Sequence, residues 1–408
     1  MKDTAIIVDP YAGAADFATA FAKRGVSSVA LFSTDAPLET MPWSPELYAD
    51  VHFYGGDLES LVTIAEKYDP LCIVPGNEGG VELAGVLTER VTPHLANVPG
   101  SAPAQRDKGH QYNALVAAGV PLLRQLCSAD ADEVAEWIVA SGLRDSALVI
   151  KPPKSAGTDS VFLVEPGQDW RPVFEGILGE TNSMGVLNEA VVVMEFAEGP
   201  EFMVDTYSVD GQHGLVMVSV YGKHNRGQRL GIYDMGETLA PDDPRTGVLF
   251  EYTKQVADAV GVRNAACHAE VILTSDGPRL VEIASRFSGS CMQVHQRVST
   301  GDSQIDRAVR HYLDGEFVPY YEMVKRTRTA WLSAHKSGRL VSIERLEKAR
   351  DLATFAAAKL PEPGITVTST VDIDTSLGWI ILASDSQAAI EADYAWIREQ
   401  EAQLDISE

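Results

Sequence analysis

The sequence predicts a mixed α/β and α+β chain: an N-terminal doubly wound parallel sheet, a strand-rich middle and a small C-terminal α/β cap. Three observations carry that prediction. Strand and helix patterns alternate through the first hundred residues, as parallel strands joined by helices do. Strand patterns then dominate to about Asp210, and residues 327–408 return to short mixed elements. A chain of 408 residues is also roughly two to four times a typical single domain, long enough for several units.

Taken in order, Ala5–Val8 is a short apolar strand, and Ala14–Lys23 is an Ala-rich helix ending near Gly25. Val26–Phe32 is β-rich, and Leu71–Val74 is a buried strand closed by Pro75-Gly76. Ligands of such sheets sit beyond the carboxyl ends of the strands. The run Pro75-Gly76-Asn77-Glu78-Gly79-Gly80 is therefore a substrate loop, or else a tight turn that opens a helix. A helix is expected from Gln105 to Ala118, stopped by Gly119 with Pro121 beyond it. Strands follow at Ala147–Lys151, Val161–Val164, Val191–Phe196 and Phe202–Val209. The stretch Gly222–Thr246 is rich in Gly, Asp and Arg and reads as a mobile loop. A helix over Thr246–Val260 leads into a hairpin, Cys267–Ile283. In the cap, strands are expected at Thr329–Ser333, Thr366–Val371 and Trp379–Leu382, with helices near Ile343–Ala349 and at the C-terminus.

Composition excludes several function classes. Lys and Arg total 33 and Asp and Glu 58, a formal net charge of −25. That field repels a phosphate backbone and an anionic membrane surface, so neither nucleic acid nor membrane is expected as a partner. Apolar residues at 45% and charged residues at 22% are ordinary globular usage, which excludes wholesale disorder. The longest apolar runs, such as Ala190–Met194, are too short to span a bilayer, and Ala5–Val8 is too short for a signal-peptide core. Cys72, Cys127, Cys267 and Cys291 have no metal-type spacing and read as reduced thiols of a cytoplasmic protein.

No GxxxxGK[ST] and no GxGxxG follows a strand, so the common phosphate-loop and dinucleotide readings lack their main support. A different set of residues is present. Lys108 lies on a helix, and Lys151 ends an apolar strand, where its ammonium group needs a polyphosphate or a path to solvent. Lys154–Ser160 then joins two strands with small residues; such a hairpin offers backbone N–H groups to phosphate oxygens, or is merely a turn. In Val191–Phe202 an apolar strand, a polar hinge at Glu195-Phe196-Ala197 and a second strand opened by Glu201 leave free backbone groups for an adenine edge. Glu201 then offers acceptors to ribose hydroxyls.

The hairpin supplies the firmest chemistry. Glu270 and Glu282 each lie six positions from Asp276. A turn centred there sets them opposite each other on one face, roughly 4.5–5.5 Å apart at Cβ. Such a pair repels unless one carboxyl is protonated or a divalent cation lies between them. Mg²⁺, which takes one or two carboxylates plus phosphate oxygens, suits the pair. Arg286, on the same face, either stabilises charge on a transferring phosphoryl group or neutralises the two glutamates.

The order Lys108, Lys151, small-residue loop, Glu195–Glu201 hinge, Glu270, Glu282, Arg286 resembles the ATP-grasp superfamily. It is most similar to the carboxylate–amine ligases that include bacterial L-amino acid (dipeptide) ligases. The resemblance implies an ATP-grasp fold in three units. These are a pre-ATP-grasp α/β domain over 1–104, a core over 105–326 (105–195 with the phosphate loop, 196–326 with the metal and substrate part) and a cap over 327–408.

It also implies site roles. ATP would be bound by Lys108, Lys151, Ser155, Ala156, Gly157, Ser160, Glu195, Phe196, Ala197 and Glu201. Mg²⁺, as two ions or with Mn²⁺ in its place, would be held by Glu270 and Glu282. Arg286 would serve the acyl phosphate, and Ser288 and Gly289 a substrate carboxylate. Glu78 and Lys223 are further substrate candidates. The family often has Asn two residues after the second glutamate, where this chain has Ala284. His268, facing Ala284 in the hairpin, or water is expected to fill that space and orient substrate or metal, or else His268 packs beside the hairpin with no catalytic part.

Three readings follow: an ADP-forming ligase joining an amino acid to an amine or second amino acid, a small-metabolite kinase or formyl-type transferase, and a nucleotide-binding sensor without turnover. The partners expected are small molecules, with a homodimer implied by the resemblance.

Overall fold

The computed structural model describes residues 3–39 and 41–407. Its N-terminal part is a four-stranded parallel sheet in the order Asp50–Phe53, Ser27–Phe32, Thr4–Val8, Cys72–Pro75. The apolar runs are continuous because both faces are covered. Ile7, Phe32 and Val74 pack with Phe17 and Phe21 of the helix Ala14–Ala22, while Ile6, Leu31 and Ile73 pack with Leu61 and Leu87. Those last two belong to helices Leu58–Lys67 and Val81–Val91, which the sequence reading leaves unassigned. Between the strand Cys72–Pro75 and the helix Val81–Val91, the run at Asn77–Gly80 forms a short 3₁₀ turn capped by Asn77. Gly80 is required there, since a Cβ would lie 2.5 Å from the Val8 carbonyl oxygen.

Among the described residues, twelve strands form a second sheet. One end carries Gln125–Ser128, Val191–Glu195, Leu148–Lys151 and Phe162–Val164. The other carries Gln212–Arg226, Glu201–Val209, Ala265–Thr274 and Gly277–Ala284. Arg229–Thr238 joins the two ends and also pairs with the cap strand Arg326–Leu332, so cap strands extend the same sheet. No helix among the described residues is long and apolar enough to cross a membrane. The four cysteines are free thiols.

The stretch Gly222–Thr246 is not a mobile loop. It comprises the end of the strand Gln212–Arg226, the strand Arg229–Thr238 paired with it, and the start of the helix Pro244–Ala259. Its register shifts between Gly222 and Lys223, which breaks the two-residue alternation a strand shows in sequence. The expected helix over Gln105–Ala118 divides into a 3₁₀ turn, Ala102–Gln105, and a helix, Lys108–Ala118. Asp107 causes the break: its carboxylate accepts from the N–H groups of Gly109 and His110 as an N-cap. Helices Ala131–Ala140, Arg171–Ile177, Met292–Thr300 and Gln304–Asp314 are additional to the sequence reading.

Candidate active site

The carboxylate hairpin pairs as its spacing predicts, though by a different local route. Thr274 faces Gly277 across a two-residue turn, a register that would set Glu270 against Val281. A bulge between Glu270 and Leu280 restores the pairing of Glu270 with Glu282 and of His268 with Ala284. The Val281 carbonyl at the bulge accepts from Lys151 Nζ at 3.2 Å.

Glu270 and Glu282 form the wall between two clefts. The first, of about 690 Å³, is lined by Lys108, Lys151, Ser155–Thr158, Phe196, Ala197, Glu201 and Lys223. Its walls come from both ends of the large sheet, Val149 and Met194 on one side and Ile272 on the other. The second, of about 990 Å³, is lined by Asn77, Glu78, His268, Arg286, Gly289 and the cap residues Trp331, Ile373 and Asp374. Ala156 and Gly157 line both, so the small-residue loop lies over the junction. Gly157 has φ +67°, and its missing Cβ would lie 2.4 Å from Ile373 Cγ2; only glycine lets the cap approach this loop so closely.

Repulsion between the two carboxylates is relieved by a route the sequence reading did not weigh. Lys108 Nζ lies 2.7 Å from Glu282 Oε2, and Lys223 Nζ lies 3.6 Å from Glu270 Oε2. Burial pushes both acids up, but Lys108 and Lys151 together outweigh it at Glu282, and Lys223 and His268 do so at Glu270. Glu282 is held below the usual carboxylate range and Glu270 well below it. Glu201 differs: burial raises it to about 7 despite Lys223 at 2.7 Å, with the Glu270 charge adding to the rise. Lys151 is lowered to about 8, first by burial and then by the Lys108 charge.

Two ionised carboxylates opposite each other fit a divalent cation whose remaining ligands are phosphate oxygens. Among the described residues, no group of three or more His, Cys, Asp or Glu side chains is arranged to hold a metal by itself.

In the second cleft, Arg286 Nε donates to Glu78 Oε2 at 2.8 Å and Nη1 to the Phe287 carbonyl at 2.9 Å, which fixes the guanidinium plane. His268 Nδ1 lies 2.7 Å from Asp205 Oδ1, and Nε2 faces Glu270 Oε1 at 3.8 Å. Burial alone would lower the imidazole, yet Asp205 outweighs it and raises it to about 9, which favours the cation at neutral pH. Its stabilising contribution is fully present below about 6.5 and lost as pH rises through about 9. Asp205→Asn is expected to bring this value down, which an NMR titration of the His268 ring protons reads directly.

Several expected residues stand elsewhere. Lys223, expected at the substrate carboxylate, lies in the first cleft between the rings of Tyr221 and Tyr233, at 4.3 and 4.6 Å from their centroids. Ser288 is buried: its hydroxyl donates to Gln304 Oε1 and accepts from Gln293 and Gln296, so it builds the support of the cleft, and Gly289 lines it. The side chain of Ser160 donates to Asp159, and that of Glu195 accepts from Arg124; neither lines the first cleft. The sequence reading missed Asp205, Tyr221, Tyr233 and Trp331. Asp205 carried a signal, since an acid inside the apolar strand Phe202–Val209 must find a partner.

The chain is similar to known proteins in sequence and in fold. Residues 145–294 match the ATP-grasp domain family. Dapdiamide A synthase of Enterobacter agglomerans is 28% identical over 413 residues, covering 98% of this chain and 96% of that protein. The L-arginine-specific L-amino acid ligase of Bacillus subtilis is 25% identical over 175 residues, 42% of this chain and 40% of that one. The crystal structure of the L-amino acid ligase from Bacillus licheniformis superposes with a TM-score of 0.75 at 16% identity, covering 99% and 98% of the two chains. ATP-grasp enzymes use ATP with Mg²⁺. Similar in fold over its whole length to the Bacillus licheniformis ligase and in sequence over nearly all of it to dapdiamide A synthase, the chain carries an ATP-grasp domain over residues 145–294.

Proposed function

We propose that the protein is an ADP-forming ligase that joins a carboxylate, an amino acid, to an amine or second amino acid through an acyl phosphate. The observation that carries this reading is the shared wall. Glu270 and Glu282 separate a lysine-lined cleft roofed by small residues from a second cleft holding a fixed arginine. The relatives named as a synthase and as L-amino acid ligases support the same chemistry.

In this reading the first cleft takes ATP. Lys108, Lys151 and the loop from Ser155 to Ser160 contact its phosphates, the Glu195 carbonyl and Ala197 N–H meet adenine beside Phe196, and Glu201 meets ribose. Glu270 and Glu282 hold Mg²⁺, as two ions or with Mn²⁺ substituting, which when bound adds positive charge against the phosphate oxygens. A carboxylate oxygen of the acid attacks the γ-phosphorus, and the bond to ADP breaks. The amine nitrogen then attacks the acyl carbon, phosphate leaves and the amine loses a proton. Arg286, Glu78, Gly289 and the His268 cation orient the acid and its phosphate in the second cleft. The loop Ser155–Ser160 against Ile373 excludes water that would hydrolyse the acyl phosphate.

The three-unit division at 104 and 326, a homodimer and a cytoplasmic location belong to the same reading; the free thiols support the location. Purified protein incubated with ATP and a matrix of amino-acid pairs tests the activity, with phosphate and product mass as readouts. Phosphate release that tracks amide supports a ligase. A phosphorylated or formylated product without an amine marks a kinase or transferase, and no ATP turnover marks a sensor.

Lys151 gives this reading a pH signature. Its ammonium is charged below about 8 and neutral above it in the free protein, and phosphate oxygens favour the charged form. ATP affinity is therefore expected to fall as pH rises through about 8, by up to about tenfold per unit. Lys151→Arg, charged throughout, flattens the profile in a calorimetric titration series.

A further inference from the structure

We propose that Lys223 is a resident counter-cation that excludes a divalent ion from the first cleft until a nucleotide arrives, so that metal and nucleotide enter together. The inference rests on the reading of Glu270 and Glu282 as the metal carboxylates.

Its geometry is local and complete. Lys223 Nζ lies 2.7 Å from Glu201 Oε1 and 3.6 Å from Glu270 Oε2. The rings of Tyr221 and Tyr233 flank it at 4.3 and 4.6 Å, and its side chain is only 12% exposed. Tyr221 stands two residues before it on one strand face, and Tyr233 faces it across the shifted register at Gly222/Lys223. The ammonium is thus caged between two carboxylates and two π-faces, an arrangement that favours a cation at this point strongly.

The charge inventory gives the cage its consequence. Glu201, Glu270 and Glu282 in this cleft are faced by Lys108, Lys151 and Lys223, three acidic side chains and three lysines. Every carboxylate already has an ammonium partner: Lys223 serves Glu201 and Glu270, and Lys108 serves Glu282 at 2.7 Å. A divalent ion entering alone would meet Lys223 and Lys108 as like charges in a poorly solvated site. Once the metal takes Glu270 and Glu282, the carboxylate left to Lys223 is Glu201, and Lys108 is left with the Ser155 carbonyl at 3.0 Å. A nucleotide changes the balance, because its phosphate oxygens take the ammonium groups and leave the glutamates to the metal. Lys223 is therefore a positioning residue that acts through Glu270.

The test is a titration of Mn²⁺ into the full chain, with free Mn²⁺ read by EPR, without nucleotide and with ADP. Wild type is expected to bind Mn²⁺ weakly alone and tightly with ADP. Lys223→Gln is expected to bind Mn²⁺ about tenfold or more tightly without nucleotide, a gain that damage to the fold does not produce. The double variant K223M/E201Q removes the ion pair as a unit, which guards against unfolding, and is expected to gain likewise. Lys223→Arg, with its charge retained, is expected to match wild type. Nucleotide-free affinities in K223Q and in the double variant equal to wild type overturn the proposal. Wild type that takes up no more Mn²⁺ with ADP than without overturns the metal reading beneath it, an outcome distinguishable from the first.

Discussion

Arg286→Ala is expected to lower the rate of amide formation by about a thousandfold or more, a loss typical of removing a fixed positive group from phosphoryl transfer. The guanidinium is largely enclosed in the second cleft, held by Glu78 on Nε and by the Phe287 carbonyl on Nη1. Burial opposes its charge, yet Glu78 and Glu282 raise its pKa above the ordinary value, so it stays cationic at every working pH. Arg286→Lys is expected to recover little, because an ammonium cannot span Glu78 and the carbonyl in one plane. ATP affinity should change far less than turnover, since the first cleft does not include Arg286. Single-turnover rates beside calorimetric ATP titrations separate the two effects.

Glu282→Gln is expected to cost about a hundredfold to a thousandfold in turnover, and to leave a weakened response to Mg²⁺ concentration. A glutamine keeps the shape but cannot supply the charge that faces Glu270 across the hairpin. It also removes the partner of Lys108, whose ammonium otherwise sits 2.7 Å from the carboxylate. Mg²⁺ titrations of turnover in both proteins measure the effect. A right-shifted, shallow curve for the variant is expected; an unchanged curve would mean that Glu282 holds no metal.

Much of this site was legible in the chain because it depends on spacing. Glu270, Glu282 and His268 follow from counting outward from a β-turn, and the bulge at Val281 compensates for the shorter turn. Lys151 was legible as a charge ending an apolar strand, and Asp107 alone shifted the expected helix start. What was hidden depends on contacts between distant segments. Helix Met292–Thr300 escaped notice because its buried face is largely polar: Gln293 and Gln296 are spent on Ser288, Gln304 and Asp205, and a hydrophobic period cannot reveal such a helix. Helix Gln304–Asp314, by contrast, has a legible apolar stripe, Ile305, Ala308, Val309 and Tyr312, which the sequence reading passed over. The position of Lys223 was hidden for a related reason. The register shift beside Gly222 hid the strand, and only pairing with Tyr233 shows which way the lysine points. Trp331 reaches the cleft from the cap because the strand Arg326–Leu332 joins the large sheet at Met235–Glu237.

The central claim is that the acid's own oxygen attacks the terminal phosphate before any amine reacts. It is tested by supplying the acid with ¹⁸O in its carboxylate and weighing the phosphate released as amide forms. One ¹⁸O per phosphate is the predicted result. Phosphate free of the label, with amide formed at the same rate, would contradict the account.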